Sequence, residues 1–262
     1  MIAKVIHYCW FGGNPLPPMA LQCIKSWKKY CPGYKIIAWN ENNFDIALNT
    51  YAREAYQAKK YAFVSDVARL WVLTNYGGVY MDTDCELIKP IDKFLHHEGV
   101  CGFESPNQIS TALMGCRAGH SLFAQLLDDY NNRSFALPGG RFDMTTNVTT
   151  ITNTLRTYGL CLNGKLQTIN GLTLYPVDFF SPMDEKTGSI TLTDNTCAIH
   201  HFDASWLTTK QRTEYRRINQ YRKNFGRFLG VVLYALQAVI TLRISSLQYI
   251  FEKINNRINK NK

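Results

Sequence analysis

Two carboxylates one residue apart, Asp82 and Asp84, close the stretch Tyr76-Gly-Gly-Val-Tyr-Met-Asp-Thr-Asp84. Like charges this close repel unless a cation sits between them. A hard divalent ion with oxygen ligands is the natural occupant, and such ions are commonly held by one or two carboxylates plus substrate phosphates. The chemistry that suits the pair is therefore the grip on a diphosphate. Asp66 and Arg69 stand three residues apart on a helical stretch, beside Ser65. They can pair with each other or hold ribose hydroxyls and phosphate. The tandem His200-His201 follows an apolar run, and one neutral imidazole there could complete the protein ligands of the ion. Trp10, before Gly12-Gly13, and Asn40, after Trp39, stand at two expected strand ends. An exposed Trp at such a place could stack on a nucleobase.

These groups need a scaffold. Residues 3–11 read as a buried strand, 19–30 as a helix stopped by Cys31-Pro-Gly33, and 34–39 as a second strand. A strand–helix–strand opening predicts an α/β sheet whose ligand lies at the carboxyl ends of the strands. In 58–75, Phe63, Val67, Leu70, Trp71 and Thr74 trace an apolar stripe at helical spacing. Gly77-Gly78 then turns the chain into a strand expected to run through Val79, Met81 and Thr83, with Tyr80, Asp82 and Asp84 on its other face. Further strands are expected at 85–90, 99–104, 109–116, 173–176 and 194–202, with helices at 121–130 and 145–158. Residues 131–147, rich in Gly, Asn and Thr, form a long loop of the kind that covers a site or meets a substrate. His96 and His97 read as loop residues without partners for a metal set.

Charge divides the chain of 262 residues. Residues 1–206 hold 17 Lys/Arg against 18 Asp/Glu, whereas 207–262 hold 12 Lys/Arg against 2 Glu. The net charge of +9 is therefore a property of the tail, which excludes a uniformly basic nucleic-acid binder. Residues 1–206 are expected to form one domain and 207–262 a basic, helical extension. Within it, 228–242 is apolar nearly all round. Fifteen helical residues span about 22 Å, short of the bilayer core of about 30 Å but suited to lying in a membrane surface, with flanking arginines reaching the headgroups. None of the eight cysteines forms a Cys-x-x-Cys pair, so a zinc ribbon is not expected, and several sit in apolar runs as free thiols would in a reducing cytoplasm. The opening Met-Ile-Ala-Lys-Val-Ile-His has no charged segment followed by a long apolar one, which fits a cytoplasmic protein on the inner face of the cell membrane.

With these residues assembled, the chain resembles glycosyltransferase family 32, the Asp-x-Asp sugar transferases of bacterial capsule and surface-polysaccharide clusters. The resemblance rests on Ile6-His-Tyr-Cys-Trp-Phe-Gly-Gly13, Ser26-Trp-Lys-Lys-Tyr-Cys-Pro32, Ala62-Phe-Val-Ser-Asp-Val-Ala-Arg69, Tyr76 to Asp84, and Ile199-His-His-Phe-Asp-Ala-Ser-Trp206. The large clostridial glucosylating toxins are similar more distantly. The resemblance implies a GT-A fold, Mn²⁺ or Mg²⁺, a nucleoside diphosphate sugar donor, retention of anomeric configuration, and a glycan or lipid-linked acceptor. By position it implies that Trp10 stacks on the base with Tyr80 flanking it. Asp66 and Arg69 bind ribose, donor sugar or diphosphate, and Asp82 contacts ribose or ion. Asp84 ligates the ion, His200 joins it, and Ser205 and Trp206 lie near the diphosphate. Ser110-Thr-Ala112 and Thr145-Thr-Asn147 depart from the family pattern, in the region expected to meet the acceptor. Two rival readings of the same residues are a metal-dependent phosphohydrolase built on Asp82 and Asp84, and a non-catalytic protein that docks on membranes through its tail.

Overall fold

The structure, a computed structural model, describes residues 1–204 and 209–240. The first strand, β1 (Val5–Cys9), is central. Helix α1 (Pro18–Tyr30) starts with proline at its first turn, where the missing N–H has no helical partner in any case. Strand β2 (Lys35–Trp39) returns parallel to β1, with Val5 opposite Lys35 and Cys9 opposite Trp39. Helix α2 (Thr50–Gln57), capped by the Asn49 side chain, leads into α3 (Tyr61–Tyr76). Sequence patterning expects a helix over 58–75 alone; its boundary falls instead at Ala58-Lys59-Lys60, with Lys59 at φ +56°.

After α3, Gly77 and Gly78 adopt φ +63° and +90°. A Cβ on Gly77 would lie 2.5 Å from the Ala118 nitrogen, so the turn into β3 (Gly78–Met81) requires glycine on both counts. Three short elements follow in β4 (Cys85–Leu87), β5 (Gly99–Ser105) and β6 (Gln108–Ile109), and then β7 (Leu113–Cys116). The continuous strand expected at 109–116 is thus interrupted at Ser110-Thr-Ala112. There the chain bends, and the Thr111 carbonyl accepts from Arg69 Nη1 at 3.4 Å. Helix α4 (Ser121–Asp129), a small hairpin of β8 (Ala136–Leu137) and β9 (Arg141–Phe142), and helix α5 (Asn147–Thr157) come next. The expected 131–147 loop therefore contains a hairpin. Strands β10 (Gln167–Ile169) and β11 (Leu172–Tyr175), the single turn α6 (Val177–Phe180) and β12 (Ala198–His200) complete this part.

The main sheet runs β10-β11-β5-β7-β3-β1-β2, with β6 on β5. The β2-β1-β3 and β5-β11 pairings are parallel, and β7 runs antiparallel between β3 and β5. Residue alternation sorts side chains to two cores. Tyr80, Cys101 and Phe103 join α2, α3, α4 and α5 on one face, while Val79, Met81 and Val100 join α1 on the other. The α/β expectation holds, as a sheet layered between helices.

The chain divides into two compact units, residues 1–182 with 191–201, and 183–190 with 202–262. In the second, α7 (Thr209–Phe225) and α8 (Arg227–Ile240) form a hairpin turned at Gly226, φ +80°. Gly230 lies against the backbone of Tyr221 and Arg222, and Tyr234 donates to Glu214 from a buried cluster with Tyr215 and Ile218. The reading of 228–242 as apolar all round hides this division of labour. Gly230 and Tyr234 pack against α7 and Ala238 is buried, while Phe228, Leu229, Val232, Leu236, Val239 and Ile240 are exposed. Among the described residues no helix is long and apolar enough to cross a membrane.

Candidate metal and donor-binding site

The strand expected to carry Asp82 and Asp84 ends before them. Asp82 donates its N–H to the Ala112 carbonyl at 2.9 Å, and its own carbonyl accepts from Cys85 N–H at 2.9 Å, closing a turn over 82–85. Continuing the pleat would carry the charged pair into the sheet; the turn raises both carboxylates past its edge. They converge through turn geometry, not strand alternation.

His200 arrives by sheet pairing. Strand β12 runs antiparallel to β4 with His200 opposite Cys85, and His201 N–H donates to the Asp84 carbonyl at 2.9 Å. Strand β4 is itself fixed from below by α1, where Trp27 Nε1 donates to the Cys85 carbonyl at 2.7 Å and Ser26 Oγ accepts from Leu87 N–H at 2.9 Å. One ligand atom each from Asp82, Asp84 and His200 lies within 4.8 Å of the others. His200 Nε2 is 3.5 Å from Asp84 Oδ1, and its Nδ1 is 3.9 Å from Glu104 Oε2. Burial alone would lower the pKa of this imidazole, but Asp84, Glu104 and Asp82 outweigh it and lift it to about 9. A site that stabilises one positive charge this strongly, with two carboxylates and an imidazole converging, fits a divalent ion. His201 is turned to other work: its Nε2 is 2.8 Å from Glu86 Oε2.

Behind the carboxylates lies a buried polar seam. Arg69 Nη2 donates to Asp82 Oδ1 at 3.0 Å and stands 3.6 Å from Asp66 Oδ1. Its guanidinium lies 4.7 Å from the Tyr80 ring centroid, and the Tyr80 hydroxyl donates to the same Asp82 oxygen at 3.0 Å. Burial opposes the charge on Arg69, yet Asp82, Tyr80 and Asp66 raise its pKa, so it stays a cation. Its Nε is buried without a protein partner among the described residues. Burial likewise raises the Asp82 pKa against the pull of Arg69. Tyr80 is 1% exposed and sits under this seam.

Trp10, Asn40 and Ser65 lie on the same unit. Trp10 is half-buried beyond β1, its Nε1 donating to the Asn14 carbonyl at 2.6 Å. Asn40 ends β2 in a tight turn, its side chain accepting from Asn42 N–H at 2.9 Å. Ser65 donates to the Tyr61 carbonyl at 3.1 Å. Ser205 and Trp206 lie outside the described residues. The sequence assigns no donor-side role to Glu104, at the end of β5, or to Asn147, whose N–H donates to Asp66 Oδ2 at 3.2 Å. The only cue for either was its place after an apolar strand or within a polar loop.

The turn, the imidazole across from it and the buried arginine define a cation-and-anion corner at the end of a central α/β strand. Residues 17–101 match the family described as the glycosyltransferase sugar-binding region containing the DXD motif. The matched stretch holds Asp66, Arg69, Asp82 and Asp84. It is 28% identical over 130 residues to inositol phosphoceramide mannosyltransferase 3 of Schizosaccharomyces pombe, covering 48% of this chain and 36% of the relative. It is 25% identical over 161 residues to the Subversion of eukaryotic traffic protein A of Legionella pneumophila, covering 48% and 24%. The chain thus spans about a third or less of the length of these curated relatives. The solved PaToxG glycosyltransferase aligns over 60% of this chain and 68% of its own, at 16% identity and a TM-score of 0.47.

Proposed function

We propose that the protein transfers a hexosyl unit from a nucleoside diphosphate sugar to a glycan or lipid-linked acceptor, with Asp82, Asp84 and His200 holding Mn²⁺ or Mg²⁺. The convergence of those three ligand atoms within 4.8 Å, two of them from aspartates inside the matched sugar-binding region, carries the reading. The ion supplies neutralisation of charge on the departing diphosphate. Arg69 adds a fixed cation from the buried side, Asp66 receives hydroxyls, and Trp10 stacks on the base, with Tyr80, Asn40 and Ser65 as further donor-binding residues; the roles of Ser205 and Trp206 near the diphosphate rest on the motif alone. Transfer retains configuration by a front-face route, in which the leaving phosphate takes the acceptor's proton and no covalent nucleophile is required. The mannosyltransferase relatives make a mannosyl donor the first to try.

The acceptor belongs to bacterial surface polysaccharide synthesis and lies at the cytoplasmic face of the membrane. The exposed apolar face of α8 and the six Lys/Arg of α7 support that placement. Incubation of the protein with a panel of nucleotide sugars, with Mn²⁺ or with EDTA, tests the proposal. Metal-dependent release of nucleoside diphosphate with sugar transfer is expected. Release of inorganic phosphate would favour a hydrolase, and no turnover of any donor would leave only a docking protein.

A further inference from the structure

The seam behind the carboxylates does not stop at Asp66. The N–H reaching Asp66 Oδ2 belongs to Asn147, the first residue of α5, which is fully buried. Helix N-termini present unpaired N–H groups and a partial positive charge. The Asn147 side chain is held separately: its Nδ2 donates to the Tyr130 hydroxyl at 2.6 Å, while its Oδ1 has no protein partner among the described residues. Tyr130 lies under the Arg133 guanidinium, 4.4 Å from the ring centroid, and Arg133 Nη2 donates to Asp143 Oδ2 at 2.6 Å. Arg133 and Asp143 flank the β8–β9 hairpin and pin its base, and the Tyr51 hydroxyl donates to the Asp143 carbonyl at 3.0 Å. One residue therefore joins two systems. On one side stands Asp66, with Arg69 and Asp82 beyond it; on the other stands the rooted segment 131–147.

We infer that Asn147 is a positioning residue: its N–H fixes the Asp66 carboxylate that faces Arg69, and its side chain, through Tyr130, fastens the 131–147 segment to the same point. This rests on the reading of the Asp66–Arg69–Asp82 seam as the donor side of a transferase site. The groups facing Asp66 are Arg69, Asp82, Arg133, Tyr130 and Tyr51. Burial raises the Asp66 pKa, to about 6, while Arg69 and the Asn147 N–H hold it down. Without that N–H the carboxylate loses its one backbone donor. Without the amide side chain the loop loses its tie to the seam.

Three substitutions separate these roles. Asn147→Pro removes both the N–H and the amide, yet the first helical position accepts proline. Thr146 before it is already extended, at φ −81° and ψ 159°, as a residue preceding proline prefers. Asn147→Ser keeps the N–H and removes the amide. Tyr130→Phe keeps Asn147 whole and removes its anchor. The full chain, labelled at the aspartate carboxyl carbons and assigned with Asp66→Asn, is titrated by NMR, and backbone amide exchange is followed over 131–147. Asn147→Pro should move the Asp66 titration up by about one pH unit, with Asn147→Ser and Tyr130→Phe leaving it near the wild-type position. Asn147→Ser and Tyr130→Phe should each speed exchange in 131–147 about tenfold. An Asp66 titration identical in the proline and serine variants, or exchange unchanged in both Asn147→Ser and Tyr130→Phe, overturns the inference. If the proline variant fails to fold, the exchange arm decides alone. Neither readout uses a donor sugar, so failure of the transferase reading is seen separately, as absence of turnover by the wild type. Where wild-type turnover is measured, Asn147→Pro should lower kcat about tenfold with Mn²⁺ affinity unchanged.

Discussion

The Asp82–Asp84 corner and the α7–α8 hairpin use charge in opposite ways. At the corner every ionised group is drawn below or near the surface and answered by another: Arg69 by Asp82 and Asp66, His200 by Asp84. Buried charges cost several kcal/mol each unless paired, so this arrangement makes sense where charge must develop and be met by fixed partners. On the hairpin, Lys210, Arg216, Arg217 and Lys223 are exposed, and the buried interior is made by Tyr215, Ile218 and Tyr234 around Glu214. Charge there decorates a surface beside an uncovered apolar face. On the proposed reading, the first region acts on a small anionic ligand and the second meets an extended one.

The sharpest way to break this contrast is to discharge the corner. Asp82→Ala with Asp84→Ala should lower metal-dependent transfer by about a thousandfold or more, with the far-ultraviolet circular dichroism unchanged; retention of turnover would end the metal reading. Next comes Arg69→Ala, which strands Asp66 and Asp82 without their cation. It should cost about 3–5 kcal/mol of stability in urea unfolding, because the loss is one of pairing as well as of function. A similar substitution of an exposed cation on the hairpin, Lys223→Ala, should be within about 0.5 kcal/mol of wild type.

A smaller effect comes from His7 in β1. Its Nε2 lies 3.0 Å from the Gly77 carbonyl and its Nδ1 accepts from Trp39 Nε1 at 3.1 Å, which requires a neutral ring. Burial lowers its pKa from 6.5 to about 4. The folded state therefore binds this proton less readily than the unfolded one. The stabilisation is full above pH 6.5 and is lost as pH falls towards 4, amounting to about 3 kcal/mol. Unfolding free energies measured from pH 7 to pH 4 should show this loss, and His7→Gln should flatten it. A further change is expected on the hairpin. Leu236→Lys places a charge on the exposed face of α8 and should weaken binding to anionic vesicles about tenfold, without altering donor turnover in solution.

The legibility of these two regions in the sequence differs for physical reasons. Asp82, Asp84, Asp66 and Arg69 announce themselves because ionisable residues inside apolar periodic stretches are expensive and need a purpose. Gly77-Gly78 is readable for the same kind of reason, since only glycine meets its backbone demands. The path by which His200 joins the carboxylates is not readable, because the β12–β4 pairing spans more than a hundred residues and leaves no local pattern. The end of β3 at Met81 is also hidden: alternation continues in the letters through Thr83, while the 82–85 turn that stops the strand is tethered from afar, by the Asp82 N–H bond to the Ala112 carbonyl. The role of Asn147 is not readable either: the letters mark it only as part of a departure from the family pattern, and it takes α5 to set its N–H against Asp66. On α8, composition reported an apolar helix but could not say which side Gly230 and Tyr234 would turn towards α7.

The antiparallel bond between β12 and β4 carries a consequence for biosynthesis. A nascent polypeptide extruded as far as residue 182 already contains every strand of the main sheet and both aspartates, but not the third ligand. At roughly 5–20 residues per second, emergence of the last strand is delayed by seconds. A nascent chain lacking residue 200 can thus pair the main sheet before the imidazole is there to face Asp82 and Asp84.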